Sequence, residues 1–371
     1  MPNRQDPSVS IIYPGKSPAL TPLGEQPLVV ETPAHELGDE TTPTEKFFIR
    51  NNGTIPEPVA DPLAWTLTID GEVETPLTLT LRDIQSRFEQ VTRHLVLECG
   101  GNGRSFYDPP AAGNAWTNGG VGCAQWTGVR LRDLLLAAGV KASAVFTGHY
   151  SADRDLKDPT KQAMSRGVPI TKALDENNLI AWAMNGEPLP PIHGFPLRLV
   201  IPGWPGSVSS KWLTRIWVRE RRHDEKGMTS YRVPIRPVVP GSTPDPDNLR
   251  DLESMPVRSI ITAPHDGATL AADASHITVH GAAWAGDIDV ARVDVSIDYG
   301  ATWQPATLLP QRNAYDWHRW RATIARPAPG YYQIWARATD VNGVAQPHAP
   351  ANWNPQGYGA NPMHRVAVTV G

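Results

Sequence analysis

Cysteine is nearly absent from this chain, with two residues, Cys99 and Cys123, in 371. That scarcity excludes a disulfide framework and a cysteine-rich zinc site. Charge is sparse too: Asp, Glu, Lys and Arg make up 19%, and the formal net charge is −4. No global basic field exists for nucleic acid or an anionic membrane surface, so any anion site has to be local. No run approaches the 18 apolar residues that read as a membrane-spanning helix. The opening stretch MPNRQDPSVSIIYPGK lacks the apolar core of a secretory signal. No Walker A loop, dinucleotide glycine fingerprint, HExxH or GxSxG occurs, so nucleotide-triphosphate, zinc-peptidase and serine-hydrolase readings have no motif behind them.

What the chain does have is proline (37), glycine (31) and tryptophan (13), within a 40% apolar composition. This mix suits a loop-rich, β-heavy globular protein, and the length suits two domains. Residues 1–45 are proline-rich and non-periodic and read as an extended arm. From Phe47 the pattern is mixed. TLTIDGEV alternates like a strand with an Asp-Gly turn. LTLRDIQSRF reads as a short helix. GVRLRDLLLAAGV sets Leu131, Leu134 and Leu135 on one helical face, with Gly139 as a stop. PITKALDENNLIAWAMNG contains another short helical stretch before an Asn-Gly turn. The stretch from Val233 to Pro256 is proline-rich and polar and marks a domain boundary. Beyond it, HITVHGAAW, VARVDVSIDYG, WHRWRATI, YYQIWARATD and RVAVTV alternate like the strands of an immunoglobulin-like sandwich. The expected division is an arm over 1–45, a mixed catalytic domain over 46–245 and an all-β domain over 246–371, which is α+β overall.

The densest chemistry lies in HLVLECGGNGRSFYDPP. A thiol after a short apolar strand, on a glycine-rich turn with Arg104 five residues on, can bind a soft metal or attack a substrate, while the arginine holds an anion. Its ordinary reading is a buried structural cysteine, and Cys123 reads as a small core residue. FFIRNN joins two aromatics to Arg50, Asn51 and Asn52, which is either a strand end or an oxyanion contact. GEPLPPIHGFPLRLVIPGWPGSVSSKW carries His193, Arg198, Ser209, Ser210 and Lys211. Hydroxyls beside a lysine on such a turn suit a phosphate, although a solvated loop has the same composition. Tyr231 follows a strand and precedes the linker, and its ordinary reading is packing.

Together, in this order, the segments resemble the sulfite oxidase family of molybdenum enzymes, from about Thr44 to Gly371. FFIRNN resembles FFxRNH and CGGNGRS resembles CAGNxR. The resemblance implies that Cys99 is the protein ligand to molybdenum and that Arg50 and Arg104 are substrate arginines, with Tyr231 beside the metal's oxo group. It further implies that Phe48, Arg50, Asn51, Asn52, Cys99, Asp153 (from GHYSADRD), His193, Arg198, Ser209, Ser210 and Lys211 contact a molybdopterin. Two departures stand out: Asn52 where animal members have histidine, and Gln356 where they have a third arginine.

The implied activity is oxidation of sulfite to sulfate. Neither a cytochrome b5-like haem domain nor a CxxCH site is seen, so no haem is expected in this chain and electrons would leave to an external acceptor such as a c-type cytochrome. Other oxyanions or oxides (nitrate, a sulfoxide) and a redox-inactive binding protein are the alternatives. A homodimer through the last domain is expected. So is a periplasmic location with the signal already removed, the cytoplasm being the alternative. No nucleic-acid or membrane partner is expected.

Overall fold

The computed structural model describes residues 13–271, 276–325 and 327–371. Its first half is built on two sheets. One runs Glu187–Pro188, Leu179–Met184, Val121–Arg130, Gln90–Glu98, entirely antiparallel, with Arg198–Val200 also paired to Leu179–Met184. The other runs Leu77–Thr80, Thr66–Gly71, Leu213–Arg219, Phe146–Ser151, with the central pair parallel. An apolar core of Leu67, Ile69, Leu134, Leu199, Ile216 and Val218 lies between these elements.

Local signals account for the short helices. Leu81–Arg87 starts at a capping box, with Thr80 accepting from the Asp83 N–H while the Asp83 carboxylate accepts from the Thr80 N–H. Leu131–Ala138 ends at Gly139, whose φ of +71° suits glycine. At eight residues this helix is too short to persist alone. Buried Leu131, Leu134 and Leu135 hold it to the core, each contributing roughly 1.5–3 kcal/mol.

One expectation needs correction. The stretch 1–45 is not simply an extended arm: Thr21–Glu25 and Leu28–Glu31 form a hairpin that continues onto Ile49–Arg50. Residues 1–12 of that stretch lie outside the described residues. The short helical stretch expected in PITKALDENNLIAWAMNG is Ile170–Ala173, and LIAWAM, not read separately from sequence, is the strand Leu179–Met184. Leu179, Ile180 and Ala181 are all fully buried because neighbours cover both faces, so the strand lacks the alternation of a half-exposed one.

The last hundred residues form a two-sheet sandwich. One sheet runs Arg258–Ala263, His276–Trp284, His318–Ala325, Thr307–Leu308. The other runs Ala268–Leu270, His364–Val370, Gly330–Asp340, Val290–Ser296, Gln304–Pro305. Val279, Val293, Trp320, Ile334 and Val368 fill its core. Along His276–Trp284, burial alternates up to His280 and is then continuous. The continuous part faces the first half: Ala282, Trp284 and Ile260 pack with Val96, Val121 and Cys123 in one cluster.

A buried ion pair crosses the same junction. Arg258 lies 2.8 Å from Glu98, and Glu98 also accepts from Trp284 Nε1 (2.7 Å) and Asn102 Nδ2 (2.9 Å). Arg258 in turn donates to the Asn102 carbonyl. Glu98 and Asn102 flank Cys99, so the sandwich domain braces the cysteine loop directly.

Candidate functional site

Cys99 is the first residue beyond the strand Gln90–Glu98. Its N–H donates to the Gly120 carbonyl (2.7 Å), and its carbonyl accepts from Asn102 (2.9 Å), closing a tight turn. The glycines there have steric reasons. Gly103 has φ +82°, and a Cβ on Gly101 would stand 2.5 Å from the Arg104 guanidinium. The thiol therefore sits on a rigid loop tied to both halves of the molecule. Burial pushes the Cys99 thiol up, while Arg50, the Gly101 N–H and Arg104 pull it down.

Two adjoining cavities meet beside it. The first is lined by Phe47, Phe48, Cys99, His193, Arg198 and Tyr231, among others. The second is lined by Asn51, Asp153, Ser209, Ser210 and Trp212, among others. Arg50, Asn52, Gly206, Ser207 and Lys211 belong to both. One groove thus gathers five segments spread over more than 180 residues of sequence. Of the predicted positions, Phe48, Arg50, Asn51, Asn52, Cys99, Asp153, His193, Arg198, Ser209, Ser210, Lys211 and Tyr231 all line it.

Electrostatics set the groove apart from the rest of the chain. Arg50, His193, Arg198 and Lys211 line it against one carboxylate, Asp153. Lys211 donates to Asn51 Oδ1 (2.6 Å) and to the Ile192 carbonyl (2.8 Å). Its pKa lies well below that of a free lysine because of burial and of Arg198, Lys16 and Arg50, against which Asp153 pulls upward. Arg198 is pushed down to about 9 by burial alone; it donates to the His193 carbonyl and lies over the Trp126 ring. Asp153, also buried, is raised to about 6. Arg50 Nη1, Asn51 Nδ2 and Arg198 Nε are buried without a hydrogen-bond partner among the described residues. Unpaired buried donors beside mutually repelling cations are what a polyanionic ligand would relieve.

Four placements differ from expectation or sharpen it. Arg104 does not line the groove. It is buried behind the turn, where Nε donates to the Gln356 carbonyl (2.8 Å) and Nη1 to the Asn114 carbonyl (2.9 Å), with its guanidinium over Tyr358. Gln356 contributes that carbonyl while the residue is exposed, so it supplies no charge in place of an arginine. The Ser209 hydroxyl is occupied, accepting from the Ile201 N–H at 2.9 Å. The Ser210 hydroxyl makes no hydrogen bond to protein among the described residues and is free for a ligand.

Tyr231 sits at φ +54°, unusual for a side chain of its size. The conformation is held by a short ladder between Arg232–Pro234 and Leu249–Asp251, and by the Leu252 N–H donating to the Tyr231 carbonyl (2.8 Å). Its ring stacks on Tyr358, centroids 4.6 Å apart. Cys123 proves to be the core residue expected: fully buried, its thiol 3.1 Å from Asp316.

Sequence reading missed Lys16, Ser207, Tyr358 and Arg166. Lys16, 177 residues from His193, donates to the carbonyls of Thr44 and Phe47 and meets His193 Nε2 at 2.6 Å. Ser207 lies in the segment that carries Ser209, Ser210 and Lys211 but was not singled out there. Lys16, Tyr358 and Arg166 carry no motif.

Comparison with known proteins agrees with this geometry. Residues 52–226 match the oxidoreductase molybdopterin binding domain, and residues 250–371 match the Mo-co oxidoreductase dimerisation domain. The chain is 34% identical to the mitochondrial sulfite oxidase of Drosophila melanogaster, over 96% of this chain and 64% of that protein. It is also 34% identical to the sulfite oxidase of Gallus gallus, over 98% of this chain and 80% of that protein. Among solved structures, the sulfane dehydrogenase SoxCD from Paracoccus pantotrophus superposes with a TM-score of 0.74 at 27% identity, covering 96% of this chain and 86% of that one.

Proposed function

The chain belongs to the sulfite oxidase family of molybdenum enzymes, and from that premise we propose that it oxidises sulfite to sulfate by oxygen-atom transfer. The observation that carries the reading is the meeting of Cys99, Arg50 and Tyr231 in one cavity, continuous with the cationic groove. The residues present suit a molybdopterin. Lys211, Arg198, His193, Ser210 and Asn51 form a cradle short of negative charge, matching a phosphate-bearing ligand, and the Cys99 sulfur stands where a soft metal would be held. Bound there, the cofactor would supply the oxygen-atom transfer and accept the two electrons that sulfite loses.

The chain's own residues do the rest. Arg50 reaches into the cavity with an unpartnered Nη1 and would bind a sulfite oxygen. Arg104, held behind the turn, adds positive potential and fixes the loop that carries Cys99. The Tyr231 hydroxyl has no hydrogen-bond partner in the protein among the described residues. It would donate to an oxygen of the reacting group and hold a proton there. Phe47, Phe48 and Leu97 keep this end of the cavity apolar, which strengthens each charge interaction.

Overall, sulfite and water become sulfate, two protons and two electrons. We assign the electrons to an external acceptor, a c-type cytochrome, and the location to the periplasm. The dimerisation-domain match supports a homodimer through the sandwich. The test is steady-state turnover of sulfite with ferricyanide as acceptor and sulfate as the quantified product. Sulfate formed in step with acceptor reduction is expected. Turnover of nitrate or a sulfoxide without sulfite oxidation would overturn the assignment of substrate.

A further inference from the structure

Arg166 is 2% exposed and has no carboxylate within ion-pair distance among the described residues. Its Nη1 donates to Ser207 Oγ at 2.6 Å, its Nε is buried without a partner, and its guanidinium carbon lies 4.7 Å from the centroid of the Tyr231 ring. Asp251, the carboxylate whose charge acts on it through space, is already paired with Arg222 at 2.7 Å. The backbone is fixed too, since the Arg166 carbonyl accepts from the His149 N–H at 2.7 Å on the edge of the strand Phe146–Ser151. Burying an unpaired guanidinium is costly. Both groups it touches, Ser207 and Tyr231, line the cavity that holds Cys99.

These contacts extend across the site. Arg166 lies over Tyr231, Tyr231 stacks on Tyr358, and Tyr358 carries Arg104 at 5.1 Å. Two guanidiniums thus bracket a pair of stacked tyrosines beside a cavity whose wall holds Arg50 and Arg198.

We propose that Arg166 is a positioning residue of the oxyanion site. Tied to Ser207 and laid over Tyr231, it fixes the tyrosine ring and adds an unpaired positive charge behind it that favours a small, doubly charged oxyanion. The proposal rests on the reading of the cavity as the substrate site. It gives Arg166 an electrostatic part there that no carboxylate cancels and that packing alone would not require.

The experiment compares molybdenum-loaded wild-type protein with Arg166→Met and Arg166→Lys, using sulfate as the binding probe in calorimetry and sulfite in turnover. Molybdenum content and melting temperature serve as controls. Arg166→Met should weaken sulfate binding at least tenfold and raise KM for sulfite by a similar factor, with kcat changed less than threefold. Arg166→Lys, which keeps the charge, should recover most of the sulfate affinity. Wild-type sulfate affinity in Arg166→Met would overturn the proposal, as would an Arg166→Lys no better than Arg166→Met. If Arg166→Met does not fold, the lysine variant and Ser207→Ala decide. Loss of affinity in Ser207→Ala with recovery in Arg166→Lys supports the proposal, and unchanged affinity in Ser207→Ala overturns it. Wild-type protein that binds sulfate without oxidising sulfite would contradict the assigned reaction, while the role of Arg166 would still be read from the binding constants.

Discussion

Lys16 Nζ stands 2.6 Å from His193 Nε2, joining the N-terminal segment to the floor of the cofactor groove. With Lys16 donating, Nε2 accepts and the ring proton resides on Nδ1, free to donate to a ligand. Burial lowers the Lys16 pKa to about 7 although Glu45 pulls it up, so the contact is maintained against a desolvation cost. Lys16→Met is therefore expected to lower molybdenum retained per protomer severalfold after dialysis while the circular dichroism spectrum is unchanged. Full metal retention would show that the N-terminal segment plays no part in holding the cofactor.

For Cys99, the expected result separates metal chemistry from folding. The thiol is buried and its loop is held by the Gly120 carbonyl, Asn102 and Glu98 rather than by the sulfur. Cys99→Ser should lose sulfite turnover by several orders of magnitude with a melting temperature close to wild type. Normal turnover by that variant would remove Cys99 from the reaction.

Arg104→Gln carries two expected effects. It removes a long-range positive charge and raises KM for sulfite. It also breaks two hydrogen bonds that link the cysteine loop to residues 114 and 356. A buried charged hydrogen bond contributes about 1.5–3 kcal/mol, so a drop in unfolding free energy of a few kcal/mol should accompany the KM change. Arg50→Gln, by contrast, should raise KM with little loss of stability, because Arg50 faces the cavity. Equal destabilisation by both variants, measured by urea unfolding, would contradict this placement.

The segments of the site carry paired chemical signals (a thiol before an arginine, hydroxyls before a lysine, aromatics before an arginine), but each alone also fitted a structural reading, and their roles came from the resemblance of the ordered segments to one family. What sequence could not convey was distance. Lys16 reaches His193 from a proline-rich stretch whose strands Thr21–Glu25 and Leu28–Glu31 depend on pairing with each other and with Ile49–Arg50. Arg166 sits in a stretch with no motif, and only the fold lays it over Tyr231. Arg104 was expected in the site, yet its donors turn to backbone carbonyls. In the fold, Leu131–Ala138 and the sandwich strands followed from periodicity. Leu179–Met184 did not, since burial on both faces erases alternation.

Acid should destabilise the protein over a defined window. His149 is fully buried between Thr147 Oγ1 and the Val208 carbonyl, and burial, with His223 and Arg166, pushes its pKa down to about 3. His223, also fully buried by its neighbours, is pushed down to about 4 by burial and Arg219. Both are neutral in the folded state, whereas the unfolded chain takes up protons below about pH 6.5. Stability is therefore fully present above that pH and is lost as pH falls towards 4, by at most about 1.4 kcal/mol per pH unit per histidine. Urea midpoints at pH 7.5, 6.5, 5.5 and 4.5 check this, and His149→Gln should reduce the slope. A flat profile between pH 6.5 and 4.5 would contradict it.

The most direct test of the central claim is the visible absorption spectrum of protein from a molybdenum-replete host, recorded without oxygen before and after sulfite. The account expects a sulfur-to-molybdenum charge-transfer band that bleaches on adding sulfite and is missing in Cys99→Ser. A band unmoved by sulfite would contradict the assigned substrate, and no band at all would contradict the molybdenum site itself.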